Sequence, residues 1–144
     1  MPHITPLALG GCLSALAALA HLACVAIGGP AYRWMGAGEG LARAAEAGRW
    51  QPTAITLCIA AVLAVWALYA WAGAGWWTPR SPWPGMKLAL PLISAIYLVR
   101  GVAFPWLKPH FPDNSNLFWL VSSAICLLIG GLHAWGTVSR WSEL

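Results

Sequence analysis

Charge is what this sequence has least of. Its 144 residues carry 8 Lys and Arg and 4 Asp and Glu, 8% of the chain, where a globular domain carries about 25%. So few charges cannot coat a water-soluble surface, and 60% of the residues are hydrophobic. Acids are scarcest: Glu39, Glu46, Asp113 and Glu143 all fall outside the long apolar runs. There is no basic cluster either. The Lys and Arg stand singly beside apolar segments, where membrane topology and anionic headgroups account for the net charge of +4. Nucleic acid is thereby excluded as a partner, and membrane lipids are the expected surroundings.

Close-spaced cysteines are missing too. Cys12, Cys24, Cys58 and Cys126 each stand alone in an apolar run, with no C-x-x-C. A membrane disulfide exchanger needs accessible pairs, so these read as small buried hydrophobes. The N-terminus lacks the basic region of a signal peptide, and the first apolar segment is expected to be retained. The pentapeptide GAGEG at 36–40 has no Lys-Ser/Thr after it and no strand before it. It reads as a flexible turn leading into a helix, not a phosphate loop.

What is present is four apolar segments, at about 6–28, 53–75, 86–104 and 117–138, each near the roughly 20 helical residues that cross a bilayer. The spacing predicts an all-α membrane protein, a single domain over 1–144, with four transmembrane helices in an up-down-up-down bundle because the connections are short. Gly10, Ser14 and Ala18 recur every four residues and give the first helix a face for close approach by another helix. Between the first two spans, residues 39–48 read as a short amphipathic interfacial helix bracketed by Trp34 and Trp50. Arg43 and Glu46 would be exposed on it, with Leu41, Ala44 and Ala45 turned inward. The turn after the second span holds Arg80, with Lys87 following, and Asp113 or Ser115 would cap the fourth. Most of the eleven tryptophans sit where segments end, as interfacial anchors do. The expected location is an inner membrane of bacterial type. Positive residues divide almost evenly between its two sides. Dilution of Arg33, Arg43, Arg49 and Lys108 by Glu39, Glu46 and Asp113 tips the assignment towards cytoplasmic termini.

The third segment carries the one charge inside an apolar run, Arg100. A charge at that depth costs at least about 2.5 kcal/mol on insertion scales and so faces protein, water or an interface. Counting from span centres at Ala17, Ala64, Ala95 and Leu127, at 1.5 Å per residue, His21 lies roughly 6 Å and Arg100 roughly 7 Å towards the long-loop side. Cys24 and Cys58 lie at roughly 10 Å and 9 Å on that side, and His133 roughly 9 Å on the other. Tyr97 shares a face with Arg100. A ligand-binding set of Arg100, His21 and Tyr97, under Arg33, Glu39 and Asp113, follows. Arg100 has three roles open to it: snorkelling to headgroups, pairing with Glu39 or Asp113, or meeting a ligand. His21, Cys24 and Cys58 form the only conceivable soft-metal set. The gap of roughly 15 Å between His21 and His133 argues against one shared haem iron.

Tryptophan richness and small size resemble the tryptophan-rich sensory proteins, and AVWALYAWAGAG at 64–75 is similar to stretches of small multidrug transporters. The four segments here are one short of the first family, and His21 stands where the second carries a membrane glutamate, so no residue role is carried over. The function expected from the residues is binding or transport of a small apolar or anionic ligand. The alternatives are an accessory or structural subunit, with a second copy or another membrane protein as partner, and an intramembrane enzyme using His21 or Glu39.

Overall fold

The computed structural model describes residues 4–76 and 83–144; Arg80 and its turn lie outside them. Among the described residues the chain is helical throughout, without strands. Helix α1 runs Pro6–Ile27, with Pro6 in its first turn and the Thr5 hydroxyl accepting from the Ala8 N–H at 3.1 Å. Gly28, at φ 83°, breaks it. The first helix thus stops at the Gly28, Gly29 and Pro30 breakers, and Gly29 and Pro30 also open a second, α2 (Gly29–Trp34), because proline is tolerated in a first turn. Then come α3 (Glu39–Glu46), α4 (Trp50–Gly73), α5 (Met86–Val102) and the single turn α6 (Phe104–Leu107). A 3₁₀ turn at Lys108–His110 leads to α7 (Asn116–Ser139). Ser115 rather than Asp113 caps α7, accepting from the Phe118 N–H. On α3 the fully buried residue is Ala42, between the expected inward positions.

Three helices, α1, α4 and α7, are long and apolar enough to cross a membrane. Helix α5 has 17 residues, about 25 Å of rise, short of a hydrocarbon core of about 30 Å. It qualifies as a span only together with Phe104–His110, from which it bends by 60°. The third apolar run is thus bent after Val102 rather than one straight helix, and the described residues hold three to four candidate spans.

The side chains are distributed inside out. Large apolar residues such as Leu16, Leu88, Val99 and Val138 are mostly exposed, while Gly10, Ser14, Ala18, Ala67, Ala70 and Gly136 are buried. That is the arrangement of helices held by close approach rather than by sequestering leucine from water. Helix α1 lies between α4 and α7, and α7 lies between α1 and α5. The predicted small-residue face of α1 is where these neighbours meet it. A Cβ added at Gly10 would stand 2.6 Å from His133 Nδ1, and one at Gly11 2.8 Å from the Trp71 ring. Helices α5 and α7 run antiparallel, with Gly101 backed onto Leu127 and Gly130 onto Leu98.

Gly136 offers the cleanest test of this packing. A Cβ there would stand 2.5 Å from the Leu7 backbone nitrogen, which cannot rotate away. Gly136→Ala is expected to lower unfolding stability by about 1–3 kcal/mol through overpacking. Gly131→Ala, which meets nothing within 4 Å, should be neutral or stabilising by up to about 1 kcal/mol. Thermal unfolding of both in detergent checks the pair; equal behaviour would refute the close approach of α1 and α7.

Candidate functional site

Tyr97 is the meeting point of the long helices. From α5 its hydroxyl lies 3.0 Å from Ser14 Oγ on α1. Trp66 of α4 meets its ring edge-on at 5.2 Å between centroids, and His133 of α7 lies against it at 5.6 Å. Tyr97 can reach across because Ser14 presents almost no bulk. His133 is fully buried (0% exposed). Its Nδ1 donates to the Ile129 carbonyl at 2.9 Å, which leaves the lone pair on Nε2 without a partner in the protein.

His133 belongs to a seam. Along α7, Trp119, Ser123, Gly130, His133 and Thr137 are all buried, stepping in threes and fours down one face, with half-buried Cys126 between them. Trp119 Nε1, Ser123 Oγ, His133 Nε2 and Thr137 Oγ1 make no hydrogen bond among the described residues. Buried polar groups are nearly always paired, so such a row is uncommon.

Arg100 stands at the upper end of this seam. Its guanidinium lies over the Trp119 ring, 5.3 Å from the centroid, and its Nη1 is buried without a partner. Of the three roles open to it, pairing with Glu39 or Asp113 is not the one adopted. Glu39 pairs with Arg33 and Arg43, and Asp113 is exposed, with no ion pair among the described residues. Nor is its depth the one counted from Ala95. Leu127, the assumed centre of the fourth span, faces Gly101, because α5 ends in a bend and the middle of its apolar run is not the middle of the packed span. The same shift brings His133 level with Tyr97, although the sequence count puts them in opposite leaflets.

Above Arg100 lies a lid built from α2, α3 and the start of α7. Arg33 forms bidentate ion pairs with Glu39 (2.8 and 3.0 Å) and Glu46, and Arg43 adds a third to Glu39 at 2.9 Å. Glu46 folds over Gly29, where a side chain would collide with it. Tyr32 is buried beneath, its hydroxyl 3.2 Å from Thr56 Oγ1 on α4. The turn at 35–38 rests on α7: Asn114 Nδ2 donates to the Gly36 carbonyl at 2.9 Å, and the Phe118 ring fills the space a Gly36 side chain would take. Phe111 and Phe118 then flank Trp119, at 6.3 and 5.6 Å.

Of the residues singled out from sequence, Arg33 and Glu39 are brought together, while Tyr97 and Arg100 occupy the seam. His21 is half-buried and donates Nδ1–H to its own Ala17 carbonyl at 2.7 Å. Cys24 is buried and Cys58 exposed, and no group of three His, Cys, Asp or Glu side chains able to hold a metal occurs among the described residues. Sequence reasoning missed Ser14 as Tyr97's partner, Trp119 as Arg100's and His133 as a central residue. The signal available was the alternation of polar or small residues at steps of three and four along α7. No protein-family model, curated protein or solved structure matches the chain.

The ion pairs give the lid a pH dependence of definite sign. Hydrogen bonds from Arg33 and then Arg43 lower the Glu39 carboxyl from its ordinary 4.5 to about 2, and those from Arg33 also lower Glu46. Arg33 is raised in turn, first by Glu39 and then Glu46. A depressed carboxyl contributes stability that is complete above its unfolded pKa of about 4.3 and is lost as pH falls through the folded value. Hydrogen exchange of the α2–α3 amides is therefore expected to quicken between about pH 4.3 and pH 2, after correction for the intrinsic rate, before the long helices respond. Molar salt at neutral pH should weaken the same exposed pairs. Unchanged protection of α2–α3 down to pH 2 would contradict this account.

Proposed function

We propose that this chain is an integral membrane protein that binds or transports a small ligand along the inner face of α7, with Arg100, Trp119, Ser123 and Tyr97 as the contacting groups. In this reading the broken third span counts as a crossing. The four crossings make an up-down-up-down bundle, α3 is its amphipathic interfacial helix, and the setting is a bacterial-type inner membrane with cytoplasmic termini. One observation carries the reading: among the described residues Trp119 Nε1, Ser123 Oγ, His133 Nε2 and Thr137 Oγ1 along one face of α7, and Arg100 Nη1 of α5 laid over it, are buried and unpaired. In a hydrocarbon surround each such group costs free energy unless a ligand or water satisfies it. Arg33, Glu39 and Asp113, grouped with Arg100 in the sequence reading, act here as lid and turn residues.

Native mass spectrometry of the protein taken from its own membrane, with matched flux assays in vesicles, tests this. Wild type and the lipid-facing control Leu128→Ala are expected to carry a small adduct or to pass solute, and Arg100→Ala to lose at least about tenfold in either, one charge-assisted contact being worth roughly 1.5–3 kcal/mol. Equal behaviour of a folded Arg100→Ala protein would sink the proposal.

A second reading, an accessory subunit of a membrane complex, is favoured by a groove of about 550 Å³ between α1 and α4, floored by Ala15, Ala18, Ala60 and Ala64 and edged by Leu68 and Trp71. Small residues on a membrane-facing surface admit another helix closely. Recovery of a stoichiometric membrane partner, lost when Ala64 is changed to Leu, would favour that reading instead.

A further inference from the structure

We infer that the upper end of the α7 seam is an oxyanion site, in which Arg100, Trp119 and Ser123 hold a phosphate or carboxylate group. This rests on the ligand-binding reading above and names the chemistry of its ligand. The first support is charge balance. The chain has four acidic residues, none inside an apolar run. Glu39 and Glu46 are engaged by Arg33, Glu143 by Arg140, and Asp113 is exposed before α7. Arg100 thus has no carboxylate of the chain beside it; the Trp119 ring face and Cys126 are its neighbours. A guanidinium at that depth calls for an anion, and its planar fork matches the paired oxygens of a phosphate or carboxylate.

The second support is the character of the neighbours. Trp119 and Ser123 lie one turn apart on the α7 face over which Arg100 is laid, at 3% and 6% exposure. Indole and guanidinium nitrogens donate hydrogen bonds and cannot accept them, and a hydroxyl can do either. Trp119 Nε1, Ser123 Oγ and Arg100 Nη1 are all unpaired. Such a donor-rich set suits an acceptor-rich anion better than a cation, which the Arg100 charge would repel. The site also lies within two turns of the start of α7, under Phe111 and Phe118. Both a lipid phosphate and a free oxyanion from water are within reach of that position.

Binding to the full chain in maltoside detergent, followed by calorimetry and thermal shift, tests the inference with four probes: inorganic phosphate, acetate, dioctanoyl phosphatidic acid and dioctanoylglycerol. At least one of the three anions is expected to bind, and dioctanoylglycerol, which matches the lipid without its phosphate, to bind at least about tenfold more weakly than dioctanoyl phosphatidic acid if the lipid is the source. Binding of phosphate or acetate without preference for the phosphatidic acid would assign the site to a free ion. Arg100→Gln should weaken the anion at least about tenfold, and Arg100→Lys less, since it keeps the charge but loses the fork. Trp119→Phe keeps an aromatic ring on α7 for Arg100 and removes the N–H along with the rest of the five-membered ring. It and Ser123→Ala should each weaken binding several-fold, and they decide the matter if Arg100→Gln does not fold. Dioctanoylglycerol binding as tightly as the anions, or anion binding unchanged in Arg100→Gln, Trp119→Phe and Ser123→Ala, would overturn the oxyanion site. If dioctanoylglycerol binding were then lost in Ser123→Ala, the ligand-binding reading would stand without it. Absence of binding by every probe, with no adduct and no flux, would overturn both.

Discussion

The helices are arranged around one hydroxyl that must be paired. Tyr97 sits in the interior, away from water, and its hydrogen bond to Ser14 ties α5 to α1 across the middle of the packing. An unpaired hydroxyl in such surroundings costs at least about 1–3 kcal/mol, so the bond fixes the register of the two helices. Around it the ring of Tyr97 is held by Trp66 from α4 and His133 from α7. All four long helices therefore share one side chain. Where the helices approach most closely the residues are small, Gly10, Gly11, Ser14 and Ala18 on α1 and Gly130 and Gly136 on α7, while Leu7, Leu90, Ile93 and Ile129 fill the core between these points.

That requirement explains the polar seam. Close approach limits the bulk that the inner face of α7 can carry: beside Trp119 and Ile129 its buried positions are Ser123, Gly130, His133, Gly136 and Thr137. Serine and threonine fit for their size, and histidine fits because Gly10 opposite it has no side chain. Hydroxyls in a helix commonly turn back to a carbonyl one turn earlier, as Thr56, Ser94 and Ser139 do. Ser123 and Thr137 do not. Their hydroxyls have no partner among the described residues, unlike those of Thr56, Ser94 and Ser139.

Much of the architecture was legible in the sequence and the site only in part, for one physical reason. Apolar length is a local property, so the segments at 6–28, 53–75 and 117–138 match α1, α4 and α7 to within three residues at each end. The contact face of α1 was equally local, written as Gly10, Ser14 and Ala18. Depth is not local. The position of α5 against α7 depends on the bend after Val102 and on the glycines at 101 and 130, and no count from the middle of an apolar run includes either. Arg100 and Tyr97 were recognisable as polar groups in the wrong surroundings. Their partners Trp119 and Ser14 were not, because tryptophan near a span end reads as an anchor and serine among glycines reads as a spacer. The pairing of Arg33 with Glu46 across 13 residues was hidden by the unforeseen helix α2, which turns Arg33 back over α3.

Arg100 and the lid are in the end a single packing problem. The guanidinium is positioned by the Trp119 ring, and that ring is positioned by Phe111 and Phe118. Phe118 in turn occupies the space left by Gly36, whose φ of 73° and lack of a side chain are both needed there. Gly36 is carried on the turn between α2 and α3, and the exposed ion pairs of Arg33 hold those helices together. A displacement of the lid therefore frees Phe118, and with it one flank of Trp119, before it disturbs the Tyr97 junction below. The two halves of the molecule differ accordingly: the junction is buried and paired, and the lid is held by solvent-exposed charges that salt and acid can loosen.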